Sequence, residues 1–327
     1  MILENKNAKP NRISLGIWDT TLEAHLNKTG LGKLPQMPLL QKTLDDLAKK
    51  DLIEEAYLRG SFSFGSADYL SDIDLFTVVE AEKLYETHTE FQQTLSESGN
   101  IIIGCHDKFV KDYGGIGFMY LCEDKNTANL YQFDIYYAMK GVPPKTLLFD
   151  APRIYSKNKE YCWVEENDTD VSPLPSSAKD FITRHTEETK ENAGVVSAYN
   201  DLIVGLFIMD KHLKRQQIAR AFNDNFQNMN ALIDILRFGM NKHDFQVPLY
   251  AYDEMSKEIA KGDNKDNQEF ALQIREIMSE PISKKHVEDM FMVGMEMIQT
   301  FAPQYYEQNK DNINLLNKYI FKTPFTS

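Results

Sequence analysis

Residues 58–79 read Leu58-Arg59-Gly60-Ser61, a ten-residue spacer from Phe62 to Ser71, and then Asp72-Ile73-Asp74-Leu75-Phe76-Thr77-Val78-Val79. A Gly-Ser turn thus follows one apolar run, and two aspartates flank a single apolar residue at the head of the next. Strand side chains alternate between faces, so residues two apart project together. Two carboxylates on one face repel each other unless a divalent cation lies between them. The hydroxyl and backbone N–H groups of a facing turn suit a polyphosphate carried by that cation. The pattern reads as a magnesium–nucleotide site, with Asp72 and Asp74 as metal ligands and Gly60, Ser61 and Ser66 near phosphate.

A third carboxylate extends it. Asn129 to Ala138 is rich in aromatic and β-branched residues, as strands are, and has Asp134 at its centre. An unpaired acid inside an apolar strand is costly. If this strand lies beside that of Asp72 and Asp74, the three carboxylates can hold two Mg²⁺ ions, the arrangement that clamps both oxygens of an in-line phosphoryl displacement.

Gly60-Ser61, a spacer of this length, Asp72-Ile73-Asp74 and a later strand aspartate, Asp134, together resemble the polymerase-β-like nucleotidyltransferase superfamily. Within it the likeness is to bacterial antibiotic nucleotidyltransferases of the lincosamide and aminoglycoside type, through Leu213-Lys214-Arg215-Gln216-Gln217-Ile218-Ala219-Arg220-Ala221. The catalytic likeness covers about residues 40–140 and the helical likeness about 178–240, and the first 35 and last 85 residues carry none. Arg59 departs from the family, which often has an apolar or aromatic residue before Gly-Ser. The resemblance implies an α+β protein: a small mixed nucleotidyltransferase sheet with flanking helices, then a C-terminal helical bundle. It also implies transfer of a nucleoside monophosphate, AMP from ATP, to a hydroxyl of a small acceptor such as an aminoglycoside or lincosamide, with release of pyrophosphate. Asp134 would bind the second metal or act as general base. The helical half would wall the cleft and choose the acceptor. Adenylylation of a protein such as a toxin partner, extension of RNA, and a non-catalytic nucleotide-binding module are the alternatives.

The chain has 327 residues, 42% hydrophobic and 26% charged, enough for two domains with substantial cores. Three divisions are expected: a catalytic domain with an N-terminal extension over 1–150, a linker over 151–177, and a helical domain over 178–327. The linker is placed where Pro, Asn and acids gather, as in Glu165-Glu166-Asn167-Asp168-Thr169-Asp170. Residues 1–35 read as an extension packed on the outside, and no strand of useful length is expected after Ala138. The longest apolar run, Leu202 to Met209, is far too short to span a membrane. The first residues lack the basic start and apolar stretch of a secretory signal, and Cys105, Cys122 and Cys162 have no ligand spacing, so free thiols in the cytoplasm are expected. A net charge of −13 argues against long nucleic acids as partners and suits a cationic acceptor.

Each candidate has a plainer alternative. Ser61, Ser63, Gly65 and Ser66 suit turns in any case. For Arg59, a salt bridge and a nucleotide contact both remain open. Asn200 and Lys211 lie close to three helical turns apart, so they share a face, and Lys211 there would neutralise the β- and γ-phosphates. The alternative for Lys211 is a solvated helix end, where cations suit the dipole. Glu187, Glu188 and Glu191 form a solvated face or an amine-binding cluster. Met290 to Met297 reads as helix core, and any exposed part would serve a homodimer.

Overall fold

The computed structural model describes residues 18–107, 116–125, 129–140, 151–159, 176–177, 180–181, 183, 193–242 and 248–322. They divide into two compact units, Met1–Ile101 with His106–Arg184, and Ile102–Cys105 with His185–Ser327.

The first unit is built on a mixed sheet. Its strands are β1 (Trp18–Asp19), β2 (Glu55–Leu58), β3 (Ile73–Val79), β4 (Gly99–Asp107), β5 (Ile116–Asp124), β6 (Leu130–Met139) and β7 (Pro152–Ser156). Their spatial order is β1-β7-β2-β3-β6-β5-β4. β3 pairs parallel with β6, and β2 antiparallel with β3. The helices are α1 (Leu22–Thr29), α2 (Met37–Lys49), the single turn α3 (Gly60–Ser63) and α4 (Leu84–Ser98).

Periodicity explains the packing. In α2, Leu40, Thr43, Leu44 and Leu47 are buried at helical spacing, and Pro38 stands in the first turn, where its missing N–H costs nothing. In α4, Leu84, His88, Phe91 and Leu95 repeat the pattern. These residues form one core with Ile73, Leu75, Phe133, Ile135, Phe118 and Tyr120 from a single face of the sheet. By alternation, Asp74, Phe76, Asp134 and Tyr136 belong to the opposite face. The covered face sets the register, and the register carries the acids with it.

Two expectations are corrected. The linker of 151–177 contains β7, whose Arg153 pairs with Tyr57 of β2, so a strand does follow Ala138. Residues 18–35 are not an outer extension: Leu22, Leu26 and Leu31 belong to the core. Here Thr21 caps α1 by accepting from Ala24 N at 3.1 Å, and Gly30 ends the helix in the left-handed region. The helix α4 ends at Ser98 with Gly99 as its C-cap, the Gly99 N–H donating to the Leu95 carbonyl, and Gly99 and Asn100 also begin β4.

The second unit is helical among its described residues, apart from the strand segment 102–105. It contains α5 (Ala193–Lys214), α6 (Ile218–Gly239), α7 (Pro248–Lys261), α8 (Lys265–Ser279), α9 (Lys284–Phe301) and α10 (Pro303–Lys322). α5 is apolar on every side and is buried through Tyr199, Leu202, Ile203, Leu206 and Met209. Gly205 lets α5 and α6 approach, since a Cβ there would stand 1.9 Å from Asn228 Oδ1. Met290 and Met297 are core residues, while Met292 is exposed. No described helix is long and apolar enough to cross a membrane. The expected acidic cluster of Glu187, Glu188 and Glu191, together with Cys162, lies outside the described residues.

Candidate active site

Asp74 is the second residue of β3, and its register partner on the parallel strand β6 is Asp134. Backbones of paired strands run about 4.8 Å apart. The two carboxylates therefore stand side by side on the face turned away from the helix-covered core. Asp72 lies one residue ahead of β3 and is half-buried, as Asp74 is, whereas Asp134 is only 5% exposed.

The Gly-Ser segment meets the same place from β2. The Arg59 N–H donates to the Asp74 carbonyl at 3.0 Å, which extends the β2–β3 pairing by one step. Gly60 then takes φ +59°, and a Cβ built there would lie 2.4 Å from Asp74 Oδ2. Both the left-handed conformation and the contact demand glycine. Ser61 is half-buried in α3 and Ser66 is exposed, with the Ser66 N–H donating to the Ser61 carbonyl at 3.0 Å. Ser63 Oγ donates to the Gly60 carbonyl at 2.8 Å, which is turn chemistry.

Two residues that the motif did not reveal position the acids. Buried Gln36 donates from Nε2 to the carbonyls of Asp68 (3.0 Å) and Ser71 (3.1 Å), pinning the end of the spacer just before Asp72. The Asp68 carboxylate closes that turn by accepting from Leu70 N and Ser71 Oγ. Gln132, two residues before Asp134, donates from Nε2 to both carboxylate oxygens, at 3.1 and 2.8 Å. Strand alternation alone would have aimed Gln132 at Asp134, but a neutral amide carries no motif of its own.

The metal expectation needs one correction. Among the described residues no three Asp, Glu, His or Cys side chains are grouped so as to hold a metal ion. Asp74 and Asp134 are aligned by register and Asp72 lies one residue ahead of β3, yet the three carboxylates do not close into a three-ligand set, and Asp134 is engaged by Gln132. The donor chemistry, all carboxylate oxygen, still suits a hard cation such as Mg²⁺. The space beside Gly60 is taken by the Asp74 carboxylate, so the glycine lets that acid approach the turn closely.

Lys211 falls in the second unit. It is 2% exposed, with Nζ 5.0 Å from the Phe207 ring centroid, so the solvated helix end is excluded. Asn200, on the same helix, is buried and accepts from Tyr305 OH at 2.8 Å. On the opposite, helix-covered face of the sheet, His88 sits between Tyr137 OH and Tyr120 OH at 3.2 and 3.0 Å. Burial pushes the Tyr137 phenol well above its ordinary range, and burial likewise pushes the Cys122 thiol up. These are core groups, distinct from the acid-bearing face. No protein-family model and no curated protein matches the chain.

Proposed function

We propose that the protein is a magnesium-dependent nucleotidyltransferase that moves a nucleoside monophosphate, AMP from ATP, onto a hydroxyl of a small acceptor and releases pyrophosphate. The observation that carries this reading is the register of β3 on β6, which sets Asp74 beside Asp134 while Gly60 abuts the Asp74 carboxylate. The resemblance of Gly60-Ser61 and Asp72-Ile73-Asp74 to the polymerase-β-like superfamily supports it.

In this scheme the acceptor oxygen attacks the α-phosphorus, and the bond from that phosphorus to the bridging oxygen breaks. The electron pair leaves with pyrophosphate. The hydroxyl proton passes to a carboxylate, because an alcohol is a weak nucleophile until a base removes it. Asp134 is best placed as that base: it is buried and held in a fixed orientation by the Gln132 amide. Asp72 and Asp74 would hold Mg²⁺, which when bound neutralises the phosphate chain. The backbone at Gly60 and Ser61 would receive the β- and γ-phosphates, with Ser66 as a further candidate. Aminoglycosides and lincosamides are the acceptors that the resemblance suggests, and fold likeness by itself does not transfer a substrate.

The test is a pyrophosphate-release screen of aminoglycosides, lincosamides and other hydroxylated metabolites against each of the four nucleoside triphosphates, with Mg²⁺ and with chelator. Metal-dependent release with at least one acceptor supports the proposal. Labelled ATP added to lysate separates the alternatives, since a labelled protein or RNA names a different target. No label in any fraction and no release with any acceptor would overturn it.

A further inference from the structure

Arg59 immediately precedes the Gly60-Ser61 turn that abuts Asp74, and what it does is set by its conformation. The residue is extended, with φ −125° and ψ 177°, so it continues the alternation of β2 and shares a face with Tyr57. Its backbone is bonded to Asp74 on β3. Its side chain reaches past that strand to β6, where Cζ lies 4.6 Å from the centroid of the Tyr136 ring. Tyr136 stands two residues beyond Asp134 and is the register partner of Phe76. The guanidinium therefore lies over the acid-bearing face, on the strand of Asp134 and two strands from its own.

Among the described residues Arg59 forms no ion pair, although Asp74 and Asp134 belong to the same face. A guanidinium stacked on a ring commits its flat side and leaves its N–H edge to form hydrogen bonds in the plane. That edge matches two oxygens of a phosphate, which Arg binds as a fork. Holding the group in advance on Tyr136 lowers the entropy that binding would otherwise cost. Arg59 also immediately precedes Gly60-Ser61, where the phosphate chain is assigned.

We propose that Arg59, held on the Tyr136 ring, is a phosphate-binding residue that grips the polyphosphate chain of the incoming nucleoside triphosphate. This rests on the nucleotidyltransferase reading and assigns the charge recognition of its substrate. Three carboxylates and a triphosphate are all negative, and a preset cation at their side offsets part of that repulsion.

The experiment is calorimetric titration of the full chain with Mg²⁺ and a non-hydrolysable ATP analogue, and separately with adenosine. The proteins compared are the unaltered protein, Arg59→Ala, Arg59→Lys and Tyr136→Leu, each checked for folding by thermal unfolding. Arg59→Ala should weaken the triphosphate analogue by roughly tenfold or more, as expected for lost bonds to a charged group, and leave adenosine unchanged. Arg59→Lys should recover part of the loss, and Tyr136→Leu should weaken the analogue less than Arg59→Ala does. Equal binding of the analogue by the unaltered protein and both Arg59 variants would overturn the Arg59 assignment while sparing the enzyme reading. Equal loss of analogue and adenosine in Arg59→Ala would also overturn it, since that marks a structural role. Failure of the unaltered protein to bind the analogue at all would instead overturn the underlying reading.

Discussion

Gly60 shows how much of the site rests on a single absent side chain. Its φ of +59° and the 2.4 Å from a built Cβ to Asp74 Oδ2 leave no room for alanine. Gly60→Ala should cost about 1–2 kcal/mol for the left-handed conformation alone, and should also displace the Asp74 carboxylate. We expect a lowered unfolding midpoint together with loss of pyrophosphate release. A variant with both properties unchanged would show that the turn does not press on Asp74. The two sequence features that announced the site, a glycine before a serine and acids inside apolar strands, were legible because each is costly without a reason. Gln36, Gln132 and the Arg59–Tyr136 stack were not. Amides and aromatic rings are ordinary strand and loop residues, and their meaning comes from partners far along the chain.

Strands and helices were legible where the pattern was local. The buried residues of α2 and α4 recur at helical spacing, a period that is readable in the sequence itself. β7 was missed because Pro152-Arg153-Ile154-Tyr155-Ser156 begins with proline, lies in a polar stretch, and owes its place to a tertiary ion pair. Arg153 Nη1 meets Glu55 Oε1 at 2.7 Å, with both side chains 3% exposed, and Tyr57 OH donates to the other Glu55 oxygen at 2.5 Å. Arg153 also holds Asp19 on β1, through Nη2 to Oδ2 at 2.9 Å, and this contact keeps the Asp19 carboxyl below the ordinary carboxylate range. Arg153→Ala would strand a buried carboxylate, at a cost of about 3–5 kcal/mol. Denaturant unfolding of Arg153→Ala should show that loss, and the double variant Arg153→Met, Glu55→Leu should recover most of it. Equal stability of Arg153→Ala and the parent would mean the pair does not fasten β7.

For the molecule as a whole, the described residues divide into two compact units. The polar stretch taken for a linker contains sheet, and segment 102–105 of β4 clusters with the helical unit, a non-local association that no local composition announces. Global stability should carry an acid limb from His286. Its Nε2 faces Asn225 Oδ1 at 2.6 Å, and its Nδ1 is buried without a partner among the described residues, so the neutral ring carries its proton on Nε2. Burial lowers its pKa from the ordinary 6.5, against the opposing pull of Glu280 and Asp289, while Lys285 adds to the lowering. Above that value the ring is neutral whether folded or unfolded. As pH falls below 6.5, the unfolded chain takes up a proton that the folded chain resists, so stability declines. Unfolding midpoints should fall between pH 7 and 5, and less steeply in His286→Asn; identical slopes would contradict this.

The central claim, that Asp72 and Asp74 hold a divalent metal for a nucleotide beside the base Asp134, is tested most directly by Mn²⁺ titration followed by electron paramagnetic resonance. The titration is run with and without a non-hydrolysable ATP analogue on the parent, Asp72→Asn and Asp74→Asn. We expect nucleotide-dependent Mn²⁺ binding in the parent and its loss or sharp weakening in both variants, with unfolding midpoints little changed. Mn²⁺ binding of equal strength in all three proteins, or none in the parent with nucleotide present, would contradict the account.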